Sequence, residues 1–143
     1  MGAIFTVSPA IQSADWSLAL GDIGAVVQGP DDVAQCIVII FNTPKGSDPL
    51  RPTFASDLWK YVDRPINRTI PAIVREATDA ITLWEPRISL ISLTPTAILD
   101  GSSQNGAKLQ IALVYKLKLT GAQGRVVAPV FGKLAKVPFG VGV

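Results

Sequence analysis

Glu85 and Arg87 are the residues of this sequence whose types and spacing offer the most chemistry; they flank Pro86 and follow Trp84 in the segment Trp84-Glu85-Pro86-Arg87. A carboxyl beside an apolar ring has its pKa raised, as a general acid requires. Glycoside hydrolysis adds to such an acid a second carboxylate across the scissile bond. Glu76, Asp79 and Asp100 are the candidates for that second group. Two features oppose this chemistry. Arg87 favours the charged form of Glu85, and Glu76, with Arg75 adjacent, reads as part of a solvated helix face. No catalytic residue is assigned. Opposite charges at a proline-marked junction between apolar elements need mutual satisfaction. One reading is an internal salt bridge that fixes the corner; the other is that one or both charges lock a partner chain. The two are compatible.

The remaining side chains exclude much else. The chain has 143 residues, no histidine, a single cysteine and a net charge of +2. Imidazole-based nucleophilic catalysis and a Cys/His zinc site both lack their parts, so no metal, cofactor or small-molecule substrate is expected. An internal disulfide is impossible, which fits folding in a reducing cytosol. Cys36, in Gln35-Cys36-Ile37-Val38-Ile39-Ile40, reads as a buried small hydrophobe. The basic residues form no cluster of the kind nucleic acid requires. Trp59-Lys60-Tyr61 with Arg64 reads as a packed helix anchor, and Arg68 and Arg75 as solvated helix charges. Gly121, Gly124 and Lys133-Leu134-Ala135-Lys136 do not make a phosphate-binding loop. The N-terminus lacks the features of a signal peptide. The longest apolar run, Ile37 to Phe41, is far short of the ~20 residues of a membrane span. A soluble protein made inside the cell is expected.

With 48% hydrophobic residues, the chain can bury a core of one-domain size. Residues 1–14 read as an arm. Trp16, Leu18 and Leu20 alternate with polar or small residues as in a half-buried strand. A Gly21-Asp22 turn and a second strand, Ile23 to Gln28, complete a hairpin. Gly29-Pro30-Asp31-Asp32 starts a helix, with proline in the first turn and both aspartates facing the helix dipole; it stops near Asn42-Thr43-Pro44. Lys45 to Thr53 is a loop, and Phe54 to Tyr61 a short helical segment anchored by Leu58 and Trp59. The longest helix carries Ile66, Ile70, Ile73, Val74, Ala77, Ile81 and Trp84 on one face, with Asn67 or Thr69 as N-cap, and must end before Pro86. A strand follows with Ile88 and Leu90, and then an alternate set, Ile91 and Leu93, ended by Pro95. After a turn cluster at 100–106, Leu109 to Leu119 alternates strictly. Lys108, Gln110, Lys116 and Lys118 are assigned to this strand as a candidate edge for pairing with another chain. From Thr120 onward no alternation is sustained, and residues 120–143 read as an extended tail. The fold class is α+β: a small mixed or antiparallel sheet covered by two or three helices over residues 15–119, with an arm at each end.

Several segments occur here in the order found in the lysozyme-like baseplate wedge family. They are Gly21-Asp22-Ile23, Gly29, Asp32-Val33-Ala34-Gln35-Cys36-Ile37, Thr43-Pro44-Lys45-Gly46-Ser47-Asp48-Pro49 and Trp84-Glu85-Pro86-Arg87-Ile88. Over roughly residues 15 to 119 the chain thus resembles wedge subunits of contractile phage tails and the small baseplate subunit of type VI secretion systems. The family's Pro-x-Phe-Gly segment reads Pro52-Thr53-Phe54-Ala55 here, with alanine in the glycine's place. The resemblance implies a domain like the handshake domain of tail-sheath proteins and a structural, non-enzymatic role. It implies six copies around the tail hub that bind the wedge core and offer sheet edges to the first sheath ring by β-augmentation. It also implies that Glu85 and Arg87 matter for wedge integrity. The partners implied are other wedge and hub proteins and the sheath protein, and the location is the virion's tail baseplate, assembled in the host cytoplasm. The alternatives are a peptidoglycan-degrading enzyme or a small adaptor with the same fold.

Overall fold

A computed structural model describes residues 11–62, 64–98 and 108–130. The elements run β1 (Trp16–Leu18), β2 (Val26–Gln28), α1 (Pro30–Asn42), a 3-10 turn (Leu58–Tyr61), α2 (Ile66–Trp84), β3 (Ile88–Ile98), β4 (Lys108–Leu117) and β5 (Gln123–Pro129). β1 and β2 pair as a small antiparallel ribbon; β3, β4 and β5 form an antiparallel sheet in that order. α1 packs on β5 and α2 on β3, so the domain is a helix layer on one face of a sheet, the expected α+β class.

α1 begins where the sequence predicts. Gly29 adopts a positive φ of 59° before it, Pro30 occupies the first turn, and Asp31 and Asp32 follow. Val33, Ile37, Val38, Ile40 and Phe41 are buried against the sheet. The helix ends at Asn42, whose amide donates to the Val38 carbonyl and, at 2.8 Å, to the Pro129 carbonyl of β5. α2 starts two to four residues earlier than those caps would place it: Pro65, rather than Asn67 or Thr69, precedes its first turn. Pro71 then lies inside the helix on its exposed side, at the cost of one backbone hydrogen bond. Ile73, Ala77 and Ile81 are buried as their spacing requires.

β4 holds the core. Leu109, Ile111, Leu113 and Tyr115 are all buried, and beside them lie Val126, Ala128 and Val130. β3 runs past its expected end at Pro95 to Ile98, and the two expected sets are separated by a bulge between Leu90 and Ser92 that leaves Ile91 exposed. Before it Ile88 and Leu90 turn toward the helices; after it Leu93, Pro95 and Ala97 do.

The segment from Thr120 is not an extended tail throughout. Gln123–Pro129 is a strand paired along β4. Its inward residues Gly124, Val126 and Ala128 are small, so the alternation barely shows in hydrophobicity. The first of them has a reason: a Cβ on Gly124 would lie 2.6 Å from Cζ of Tyr115. Residues 131–143, the rest of that expected tail, and 1–10 of the expected arm lie outside the described residues.

The β1–β2 ribbon also departs from expectation. Trp16, Leu18 and Leu20 are 47, 68 and 48% exposed. Polar links on the other side hold the ribbon, with Gln35 of α1 bonded to Ser17 and to the backbone of Leu18 and Leu20. Of the two expected anchors of the 3-10 turn, Leu58 is buried and Trp59 is half exposed.

Candidate interaction site around Arg87

The corner between α2 and β3 places the Trp84-Glu85-Pro86-Arg87 segment. α2 stops because the residue before proline leaves the helical region; Glu85 has φ −124° and ψ 71°, and its N–H closes the last turn on the Ile81 carbonyl. This turns Glu85 inward, where it is 3% exposed. Arg87 lies over it. Nε donates to Glu85 Oε1 at 2.6 Å and Nη2 to Oε2 at 2.7 Å, a bidentate pair. The remaining nitrogen, Nη1, donates at 2.8 Å to Oδ2 of Asp32 in α1, a residue 4% exposed. Asp15, before β1, lies 3.4 Å from the same Nη1.

The network continues outward. The Ser17 hydroxyl donates to the other Asp32 oxygen, and the Gln35 amide donates to Ser17. One guanidinium thus ties the helix-to-strand corner to α1 and, through Asp32 and Ser17, to the β1–β2 ribbon. The bonds to Glu85 and Asp32 hold the Arg87 pKa far above its usual value despite partial burial, so the group stays cationic. Cys36 Sγ sits 3.4 Å from Nη2. Burial and the neighbouring Asp32 push its thiol upward, with Arg87 opposing in part, which is the opposite of an activated thiolate. Cys36 is partly rather than fully buried.

Of the residues singled out from sequence, Glu85 and Arg87 pair within the chain. Pro86 is exposed and, with Arg87, borders a groove of about 650 Å³ lined also by Asp15, Pro30, Val33, Leu117 and Leu119. Trp84 points elsewhere: its ring meets Phe54 edge-on at 5.1 Å, and Arg51 stacks on Phe54, so it anchors the 45–57 loop. Its Nε1 is buried without a partner among the described residues. Glu76 is not a solvated charge; it accepts from the Asp57 N–H at 2.9 Å and from Lys45 at 3.4 Å. Arg75 does form an exposed pair with Asp79. Ala55 is buried at φ 78°, the left-handed conformation of a glycine.

The edge assignment for Lys108, Gln110, Lys116 and Lys118 is corrected. β4 is the central strand, paired with β3 over Lys108 to Leu117 and with β5 over Gln110 to Lys116. The Leu117 and Ala122 backbones bond on the β5 side, and the Lys118 N–H donates to the Arg87 carbonyl on the β3 side. Both edges of β4 are therefore used. Alternation with polar residues on one face is common to central and edge strands and does not distinguish them.

Asp15, Ser17, Asp32 and Gln35 complete the network and escape a reading of charges one at a time. The legible signal is the i, i+3, i+4 spacing of Asp32, Gln35 and Cys36, which puts three polar side chains along one helix face.

A glycosidase acid must present a protonated oxygen to the leaving group. Both oxygens of Glu85 instead accept from one guanidinium, and Asp32 is engaged by the same group. The arrangement is suited to rigidity, not proton transfer. Among the described residues no group of three acidic or sulfur ligands is placed to hold a metal, and no helix is long and apolar enough to cross a membrane.

Comparisons with known proteins give a consistent picture. A family model described as baseplate wedge protein gp25 matches residues 27–122. Baseplate protein W of Escherichia phage P2 is 32% identical over 79 residues, 54% of this chain and 69% of that protein. A crystal structure from Geobacter sulfurreducens, described as a candidate tail lysozyme, superposes with a TM-score of 0.58 at 32% identity, covering 73% of this chain and 91% of that one. A chain of the postcontracted pyocin R2 baseplate superposes with a TM-score of 0.55 at 26% identity, covering 72% of this chain and 98% of that one.

Proposed function

The chain belongs to the family of baseplate wedge protein gp25, and from that premise we propose that it joins the wedge core to the hub and to the first tail-sheath ring. It is a structural component of a contractile-tail baseplate. The finer reading is that sheath arms add strands to its sheet, in several copies around a sixfold hub, in a virion assembled in the host cytoplasm.

The observation that carries this reading is the difference between the two outer edges of the sheet. Alternation in the ladder points the backbone N–H and C=O positions of Leu93, Pro95 and Ala97 away from β4, along the outer edge of β3, while their side chains face the helices. Pro95 has no N–H, and proline on an outer edge blunts it. On β5 the outward positions are Gln123, Arg125 and Val127, each with an N–H to offer. The Pro129 carbonyl at the far end is already bonded to Asn42. The edge available for β-augmentation is therefore that of β5.

Arg125→Pro removes an outward donor while leaving the bonds to β4 in place. Sheathed tails should fail to form on baseplates that still contain the variant, as seen by electron microscopy. Pro95→Thr, which restores a donor on β3, should leave sheath attachment unchanged. Normal sheaths on Arg125→Pro baseplates, or sheaths lost in Pro95→Thr, would transfer the docking edge elsewhere.

A further inference from the structure

The strands of the main sheet, residues 88–98 and 108–130, contain Lys108, Lys116, Lys118 and Arg125 and not one aspartate or glutamate. Among the described residues the helices pack on the face that buries Leu109, Ile111, Leu113, Val126 and Ala128. The residues of the other face are exposed or half-exposed: Ser92, Thr94 and Thr96 on β3, Ala112, Val114 and Lys116 on β4, Arg125 and Val127 on β5. This face is shallow, built of small and β-branched side chains, and its ionised groups are all cationic. Register sharpens the point. Arg125 lies opposite Val114 and Lys116 opposite Gln123, which makes the two residues diagonal neighbours on one face, with Cα atoms roughly 7–8 Å apart. Neither has an ion-pair partner among the described residues. Like charges at that spacing repel, and here nothing in the described sheet offsets them.

The opposite balance holds in the rest of the fold. Residues 1–87 contain seven basic and ten acidic groups, and Arg87 is surrounded by carboxylates. A basic sheet therefore follows a net-acidic stretch of chain, whose Asp31 and Asp32 lie in α1 and whose α2 is balanced by Arg68, Arg75, Glu76 and Asp79. This is a charge separation that the net +2 conceals.

We propose that the face of the β3–β4–β5 sheet left uncovered by the described residues docks an acidic protein surface of a neighbouring, different tail component. Lys116 and Arg125 supply the charge, and Thr94, Ala112 and Val127 form a flat bed beneath it. The occupant is a protein surface, not a strand, because the face has no exposed ladder groups; those lie on the β5 edge. Complementary charge of this kind sets register and excludes wrong partners.

The test rests on the chain being incorporated into a baseplate, so incorporation is measured first. Tails are purified from cells whose only copy carries a photo-crosslinking residue at Thr94 or Val127, and adducts are mapped by mass spectrometry. A chain absent from the tails refutes the functional reading itself. With the chain present, adducts to another tail protein at a segment with an excess of Asp and Glu support the proposal. Adducts to nucleic acid, to a second copy, to a segment without that excess, or no adduct at all overturn it. The double variant Lys116→Glu/Arg125→Glu should keep its Tm and enter tails at about one tenth of the wild-type level, a fold-change equivalent to 1.4 kcal/mol. Lys116→Arg/Arg125→Lys should enter normally. Equal incorporation of the charge-reversed and charge-preserving variants would contradict the proposal.

Discussion

The guanidinium of Arg87 donates at 2.8 Å to the carboxylate of Asp32, 55 positions away in the first turn of α1. The same group clamps Glu85 two residues before it. One cation thus serves two nearly inaccessible anions from different elements, and its removal strands both.

Arg87→Ala is therefore expected to lower stability by about 3–5 kcal/mol, the cost of leaving a buried charge without its partner. Arg87→Lys keeps the charge but loses the planar fork, and should fall between the two. Urea unfolding measures this. A loss below about 1 kcal/mol in Arg87→Ala would show the cluster to be incidental. If folded Arg87→Ala protein still built normal tails, the corner would have no role in assembly.

Gly124→Ala should destabilise by about 1–3 kcal/mol, the range for an overpacked site, because the added carbon would meet the Tyr115 ring at 2.6 Å. Shortening the facing ring with Tyr115→Leu should make the two changes less costly together than their sum. Strict additivity in the double-mutant cycle would mean the glycine is needed for another reason.

Tyr115 has a buried hydroxyl without a partner among the described residues. Burial first, then Asp31 and Glu85, raise its pKa above the ordinary 10.0. The unfolded chain then loses this proton at lower pH than the folded one. The contribution is intact below about pH 10 and declines as pH rises toward the folded value. Tyr115→Phe should remove that alkaline decline and be neutral or stabilising at pH 7, since no bond is lost. A marked loss at pH 7 would reveal a partner for the hydroxyl.

At Ala55 the backbone sits at φ 78°, where an L-residue costs about 1–2 kcal/mol relative to the favoured regions. Ala55→Gly relieves this but frees the unfolded chain and removes a buried methyl. The expected result is an unchanged Tm or a small gain. A drop typical of a buried Ala→Gly change, about 1 kcal/mol, would argue against strain at this turn.

Much of the fold is legible in the sequence, for identifiable reasons. β4 is legible because its inward set is large and unbroken, from Leu109 to Tyr115. α2 is legible because Ile73, Ala77 and Ile81 repeat at helical spacing and Pro86 ends it. β5 is not, because Tyr115 excludes a side chain at Gly124 and the other inward residues, Val126 and Ala128, are short. The β1–β2 ribbon misleads for the converse reason: Trp16 and Leu18 alternate as if covered, yet Ser17, Asp32 and Gln35 supply the attachment on the other side. The pairing of Glu85 with Arg87 is foreseeable from adjacency. Asp32 is not, because the contact depends on how α1 crosses the α2–β3 corner, and no local pattern encodes a crossing.

The bulge in β3 makes the strand one residue longer than the ladder it completes. Ile91 is the surplus, and it works like an inserted letter in a reading frame. Upstream the even positions face the helices; downstream the odd ones do. Deleting Ile91 would restore an uninterrupted ladder and still leave Leu93, Pro95 and Ala97 facing inward. Deletion of a residue on the far side of the strand, such as Thr96, would instead invert everything after it. β3 should therefore tolerate length variation at one position and at few others, and relatives of different length would be aligned most safely by placing their gaps there.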